Sequence, residues 1–164
     1  MSQTRSIMRQ RQVVSAMLLM ICSCCIHAAP AEEVYWEDLA PEDFTIPEVP
    51  INHDGSMSQA MPDAPVVERY NGKKVKIPGF VVPLEGTATE TTEFLLVPYF
   101  GACIHVPPPP SNQIVYVKFN DGVPIDNLYD AVWVSGILST DGWSGDIATV
   151  GYTLDGIDVT PFDG

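Results

Sequence analysis

Lys74-Val75-Lys76-Ile77-Pro78-Gly79-Phe80-Val81-Val82-Pro83-Leu84 is the stretch from which the fold is read. Val75 and Ile77 alternate with lysines, the period-two pattern of a strand with one face buried. Gly79 then breaks the rhythm, and a glycine inside a strand marks a bulge or a barrel corner. Pro78 and Pro83 cannot donate to a ladder, which places the strand at an edge or at a bulged position.

Working outward, the same grammar repeats. Upstream, Val66–Tyr70 leads into Asn71-Gly72, a hairpin-type turn signal. Downstream, Glu85–Thr92 reads as a polar turn, Thr92–Tyr99 as the second core strand and Gln113–Asn120 as the third. Asp121–Tyr129 is a connection that closes in a short helical turn at Ile125–Tyr129. In Asp130–Ser139, Val132, Val134 and Ile137 are the expected core residues around Gly136. Thr140–Asp146 is a turn holding Trp143. In Ile147–Leu154 the more apolar set, Ala148, Val150, Tyr152 and Leu154, is expected to face inward. Asp155-Gly156 is read as a turn into a last strand, Ile157–Pro161.

Short strands, close turns, glycines at bends and almost no amphipathic helix predict an all-β protein. The expected architecture is a small five- to six-stranded barrel of OB type, with an open sandwich as the alternative. A domain of about 100 residues buries enough surface to fold without disulfides.

The N-terminal third reads differently. Residues 32–65 are rich in proline and acids, with Pro41, Pro47, Pro50, Pro62 and Pro65 breaking any long helix. This segment is expected to lie as an extended arm against the barrel, anchored by a short turn that puts Trp36 and Leu39 on one side. Residues 1–31 carry Arg5, Arg9 and Arg11 with no acidic residue, then an apolar run, Val13–Ile26, then small residues. That order describes a secretory signal peptide, with cleavage after Ala28 or Ala31. The run is shorter than the ~20 residues of a membrane span. A lipid anchor at Cys24 is the alternative route, although Cys22 stands where a lipobox usually has Ala or Ser. The organisation is therefore a signal peptide (1–31), an arm (32–65) and a barrel domain (66–164), delivered to the periplasm with no transmembrane span in the mature protein.

The whole chain has a formal charge of −13. Loss of three arginines with the leader leaves five basic residues against 21 acidic ones, a formal charge of −16. So acidic a surface repels phosphate backbones and anionic lipid, which excludes nucleic acid as a partner.

The residues with chemistry to offer lie between the second and third strands. Beyond residue 31, Cys103 is the only cysteine, and His105 is one of two histidines, the other being His53. A lone thiol in an oxidising compartment is either buried as a small hydrophobe or put to use. If Cys103-Ile104-His105 were strand-like, thiol and imidazole would point the same way and offer two zinc ligands. A zinc site needs three or four, so His53, Glu85, Glu93, one of several aspartates or a partner would have to complete it. A nucleophile–base pair is a weaker reading: side chains two apart on a strand stand about 6–7 Å from each other, and no third residue orients them. In the structural reading, Cys103 packs and Pro107–Pro110 stiffens the loop's exit as a polyproline spacer. Exposed, the same prolines would form a partner ligand. His53, Met57 and Met61 stand four apart, as a copper-binding helix face would require, but the intervening Gly, Ser and Asp favour an ordinary loop. Tyr99, Phe100, Tyr116, Trp133 and Trp143 are expected in the core.

Lys76–Glu85 (KIPGFVVPLE) resembles the first signature of the DUF3299 family of bacterial exported proteins. Thr92–Pro110 (TEFLLVPYFGACIHVPPPP) resembles its second, and Asn112-Gln113 continues it. Trp36-Glu37-Asp38-Leu39 and Val132-Trp133-Val134-Ser135-Gly136 are similar to that family as well, so the resemblance runs from about Tyr35 to Pro161. Ser111 stands where members often continue the proline run. The resemblance implies little biochemistry, since the family is named for its unknown function. Some members are similar in setting to accessory proteins of zinc-responsive ABC transport systems. The functional expectation is thus an exported periplasmic accessory protein binding zinc at Cys103 and His105 in support of such a transporter. The alternative is a metal-free interaction module that docks on an envelope partner through the Cys-Ile-His/Pro-rich loop. Enzymatic activity ranks third.

Overall fold

A computed structural model describes residues 30–45, 58–59, 61–87, 89–103, 106–124 and 130–163. Five strands carry the fold: β2 (Lys74–Gly86), β3 (Glu90–Val97), β4 (Val115–Pro124), β5 (Val132–Ser139) and β8 (Tyr152–Pro161). They close in the order β2-β3-β4-β8-β5 and back to β2, with every pairing antiparallel except β4–β8. This is the OB-type barrel expected from the sequence. Three short strands are added to it: β1 (Glu32–Glu33), β6 (Trp143–Ser144) and β7 (Thr149–Val150).

The hinge of the barrel is the Pro78-Gly79 step. Lys74–Gly79 of β2 pairs with β5, while Phe80–Gly86 pairs with β3. One long strand thus serves both seams of the closed sheet by coiling from one to the other. At Gly79 a Cβ would fall 2.7 Å from the Val97 carbonyl oxygen and 3.0 Å from the Trp36 ring, so only glycine lets both approach. Pro78 supplies no donor, but its carbonyl accepts a 2.7 Å hydrogen bond from Trp36 Nε1.

The arm is part of the fold. β1 pairs in parallel with β2 at Val75 and Lys76, on the edge away from β5. A 3-10 turn follows at Trp36–Leu39. Val34 and Leu39 are fully buried in the barrel core with Ile77, Phe94, Val117 and Leu154. Tyr152 Oη donates to the Leu39 carbonyl and accepts from the Val67 amide, so one hydroxyl ties the arm, the segment before β2 and the last strand together. Burial pushes that phenol up to about 12. Three of the chain's few cations also face the arm: Lys73 with Glu32, Lys76 with Glu33, and Arg69 with Asp38.

Several expectations need correction. Asn71-Gly72 is not a hairpin turn: Glu68–Tyr70 is a 3-10 turn, and Gly72 (φ +72°) donates to the Leu138 carbonyl, so this segment feeds straight onto β5. Asp155-Gly156 does not turn either. β8 runs through it, and a Cβ on Gly156 would lie 2.4 Å from the Phe119 ring, so the glycine makes room for a core aromatic. β4 continues past Asn120 to Pro124 because its end still pairs with Glu90 and Thr91. Ile137 faces outward and Leu138 inward, because the alternation of Val132 and Val134 runs on unbroken through Gly136 to Leu138; the irregularity in the β5–β8 ladder is an extra residue on β8, Ile157. Ala148, Val150, Tyr152 and Leu154 are all buried, but only Tyr152 and Leu154 of β8 point into the barrel; Ala148 and Val150, before Gly151, pack in a second apolar cluster outside it. The expected helical turn at Ile125–Tyr129 and residues 1–29 of the signal segment, with Cys22 and Cys24, lie outside the described residues.

A second apolar cluster lies on the opposite face of β2 and β3. Val82, Leu95, Val97 and Ile114 are covered there by Ala102 and Cys103 from one side and by Ala148 and Val150 from the other. Phe94 and Leu96 point into the barrel while Leu95 and Val97 enter this outer layer, so the run Phe94–Val97 has both faces buried. No helix among the described residues is long and apolar enough to cross a membrane.

Candidate functional site

The loop between β3 and β4 begins at Pro98 and doubles back at once. Ala102 N–H bonds the Tyr99 carbonyl, Val106 N–H bonds the Gly101 carbonyl, and Ala102 bridges Val106. Gly101 (φ +83°) and Cys103 (φ +66°) both adopt left-handed backbone, which is uncommon for a side-chain-bearing residue. At Cys103 the backbone is therefore in a turn and not in the strand-like conformation the sequence suggested, so the strand alternation on which the paired-ligand argument relied does not hold from that residue.

Cys103 is 8 % exposed and packs in the outer apolar layer beside Ala102. Burial pushes its thiol up to about 11, because a thiolate there would lose its hydration. Tyr99 titrates above its ordinary value for the same reason first, with the neighbouring Cys103 adding to it. A thiol so placed keeps its proton at neutral pH, whereas nucleophilic attack and metal ligation both use the thiolate. His105 and Ile104 lie outside the described residues, as do His53 and Met57 of the copper-type motif.

The remaining proposed donors are elsewhere. Glu93 sits toward the far end of β3 from this loop, 2.9 Å from Lys118 Nζ. Tyr116 and Lys118, hydrogen-bonded to it, hold its carboxyl below the usual range. Glu85 is exposed near the end of β2. Among the described residues no three His, Cys, Asp or Glu side chains converge as a metal site would need. Met61 (φ +53°) serves the fold: its carbonyl accepts from the Ser111 amide.

The proline run is internal. Pro108, Pro109 and Pro110 are buried, and the Pro109 carbonyl accepts from Gln59 Nε2 at 2.9 Å. They present no polyproline ligand to solvent. They set the entry to a buried 3-10 turn, Ser111–Gln113, whose side chains clasp other segments: Ser111 Oγ accepts from Ala64 N–H, Asn112 Nδ2 donates to Pro65, and Gln113 Nε2 donates to Trp36.

What the loop does present is apolar. Tyr99 is 45 %, Phe100 50 % and Val106 41 % exposed, although the two aromatics were expected in the core. They project because the Tyr99–Ala102 turn lifts them off the end of β3, with Phe100 edge-on to Phe80 at 6.1 Å. No Asp, Glu, Lys or Arg occurs from Phe94 to Val117 in a chain with 29 such residues. That uncharged run was visible in the sequence and is the signal that marked this surface.

Comparison with known proteins agrees with the signatures. The family model described as "Protein of unknown function (DUF3299)" matches residues 36–161. The fold is similar to the 2.45 Å crystal structure of a DUF3299 family protein from Pseudomonas aeruginosa PAO1, with a TM-score of 0.74 and 44 % identity. That match covers 83 % of this chain and 99 % of the other. No protein of curated function matches. With the family's model spanning the arm's Trp36 through the end of β8, this chain belongs to the DUF3299 family.

Proposed function

We propose that this protein is an exported, periplasmic accessory protein that works as a docking module, contacting an envelope partner through Tyr99, Phe100 and Val106. The observation that carries this reading is the exposed apolar cluster within a charge-free run of an otherwise strongly acidic chain. Exposed aromatics in an uncharged surround are the composition of an interface centre. Export rests on the leader features of residues 1–31, and an ABC-type transporter is the partner that the family resemblance favours.

A photo-crosslinking residue placed at Phe100 should give a discrete adduct in cells, and one at Ile157, which is equally apolar and 54 % exposed, should not. Equal labelling at the two positions, or none at Phe100, overturns the docking reading.

Zinc binding at Cys103 and His105 is the competing reading. It requires the thiol to shed its proton against the burial that raises its pKa. Calorimetric zinc titration of the wild type against Cys103→Ala and His105→Ala separates the two. The docking reading expects three indistinguishable titrations; tighter binding by the wild type alone establishes the metal site.

A further inference from the structure

The apolar surface around Phe100 does not stop at the loop. Phe100 meets Phe80 edge-on, and Phe80 opens the outward-facing set of the second half of β2. Phe80 pairs with Val97 and Val82 with Leu95, the two β3 residues of the outer apolar layer. Phe80 and Leu84 are half-buried against that layer on β2, as is Tyr116, opposite Leu95, on β4. At the rise of a strand, Phe80 and Leu84 stand about 13 Å apart. That extent matters, because each partner in a standard interface buries ~800 Å², more than three loop side chains supply.

The apolar track ends in charge. Pro83 pairs with Phe94 and Glu85 with Glu93, so Leu84 is an extra residue on β2. A bulge of this kind re-aims the side chains around it, and here it sets Glu85 on the outward face, level with Glu93. Glu93 in turn pairs with Lys118 on β4, both in register and in charge, at 2.9 Å. The row across the three strands therefore holds two carboxylates and one ammonium. Glu93 takes the ammonium. Glu85 is exposed and forms no ion pair among the described residues. Glu93 first, and Glu85 after it, hold the Lys118 ammonium above its ordinary value.

A second copy of the chain is poorly suited to meet that carboxylate. Of the five basic residues beyond the leader, Arg69, Lys73 and Lys76 face acids of the arm and Lys118 faces Glu93. Lys74 remains, but it lies on the other half of β2, paired with β5. A copy would also add a further formal charge of −16. An anionic lipid surface is repelled for the same reason. Resting on the docking reading above, we propose that the partner is a protein surface with an apolar centre and a basic rim. The centre covers Phe100, Phe80 and Leu84, and a lysine or arginine of the rim pairs with Glu85. Complementary charge at the edge of an apolar contact steers encounter and fixes register.

The test places a photo-crosslinking residue at Phe100 and, separately, at Leu84 of the full chain in cells. Both positions should give an adduct with the same partner, and the partner peptide joined at Leu84 should contain lysine or arginine. Glu85→Lys should lower the Phe100 adduct at least about fivefold, with Glu85→Gln falling in between. Asp158→Lys makes the same change of charge at an exposed site on β8, paired with β5, and should leave the adduct within about twofold. Glu85 and Asp158 are both exposed, so neither substitution acts through the fold. No adduct at Phe100 removes the docking reading itself. An adduct at Phe100 with none at Leu84 overturns the basic-rimmed partner alone. So does an adduct that Glu85→Lys leaves unchanged, one that Asp158→Lys lowers as much, or one formed with a second copy of this chain.

Discussion

Cys103 shows how one residue's chemistry is set by its neighbours. The sequence posed its choice correctly, buried or used, because a lone thiol past the leader has few other fates. What it did not disclose was the left-handed backbone at Cys103 and the tight turn around it. Those depend on how the chain leaves β3, and neither composition nor spacing encodes that exit. Because the folded thiol titrates near 11 against an ordinary 9.0, iodoacetamide should alkylate the native protein slowly at pH 8, its rate climbing steadily to about pH 11. An alkylation rate that levels off near pH 9 would mean an exposed, unperturbed thiol. The same shift has a sign for stability. The unfolded chain loses this proton at lower pH than the folded one, so the thiol's contribution is intact below pH 9 and is lost as pH rises from there through 11. Tyr99 and Phe100 were misread for the complementary reason. An apolar residue following a strand is usually core, and exposure here follows from turn geometry.

Among the elements, β3 and β5 carry the lesson best. The run Phe94–Val97 was legible as a strand, but its unbroken apolarity had no explanation in local sequence. The outer layer that buries Leu95 and Val97 comes from residues 102–103 and 148–150, which only tertiary folding brings together. In β5 the apolar Ile137 was read as core although the period-two pattern of Val132 and Val134 runs on through Gly136 to Leu138. Gly136 takes a buried position of that pattern where no side chain fits. An added Cβ would lie 2.4 Å from the Asp155 carbonyl oxygen and 2.5 Å from Leu154 Cδ2. Gly136→Ala should therefore lower stability by about 2–3 kcal/mol, read as a drop in the urea midpoint. Ser135→Ala next to it should stay within about 0.5 kcal/mol. Equal midpoints for the two would show that β5 and β8 can slide apart without cost.

At the scale of the molecule, the division into arm and barrel follows composition better than it follows energetics. The proline- and acid-rich arm looked like an appendage with one anchor, yet it donates Val34 and Leu39 to the interior of the barrel. Leu39→Ala should cost about 2–4 kcal/mol and leave a single cooperative thermal transition, because arm and barrel share one core. A change under about 0.5 kcal/mol, or a separate early transition, would restore the view of a loosely attached segment. Trp36→Phe should cost about 1–2 kcal/mol more than its lost packing alone, since it strands the Pro78 carbonyl. Chemical denaturation of Trp36→Phe and Trp36→Leu side by side tests that: both lose the donor, so a large deficit common to the two identifies the hydrogen bond. The barrel itself was readable because strand period, glycines and turn spacing are local signals. The arm's role was not, because its partners lie up to 113 residues away.

That separation sets an order of events. The chain is made amino end first, so Val34, Trp36 and Leu39 are among the first residues of the fold to emerge, and Tyr152, whose hydroxyl clasps Leu39, is among the last. Until β2 and β8 are both in place the arm has nowhere to settle, and its apolar side chains stay open to solvent and to wrong partners. The first-made part of the chain can therefore be fully seated only once the last-made strand is in place.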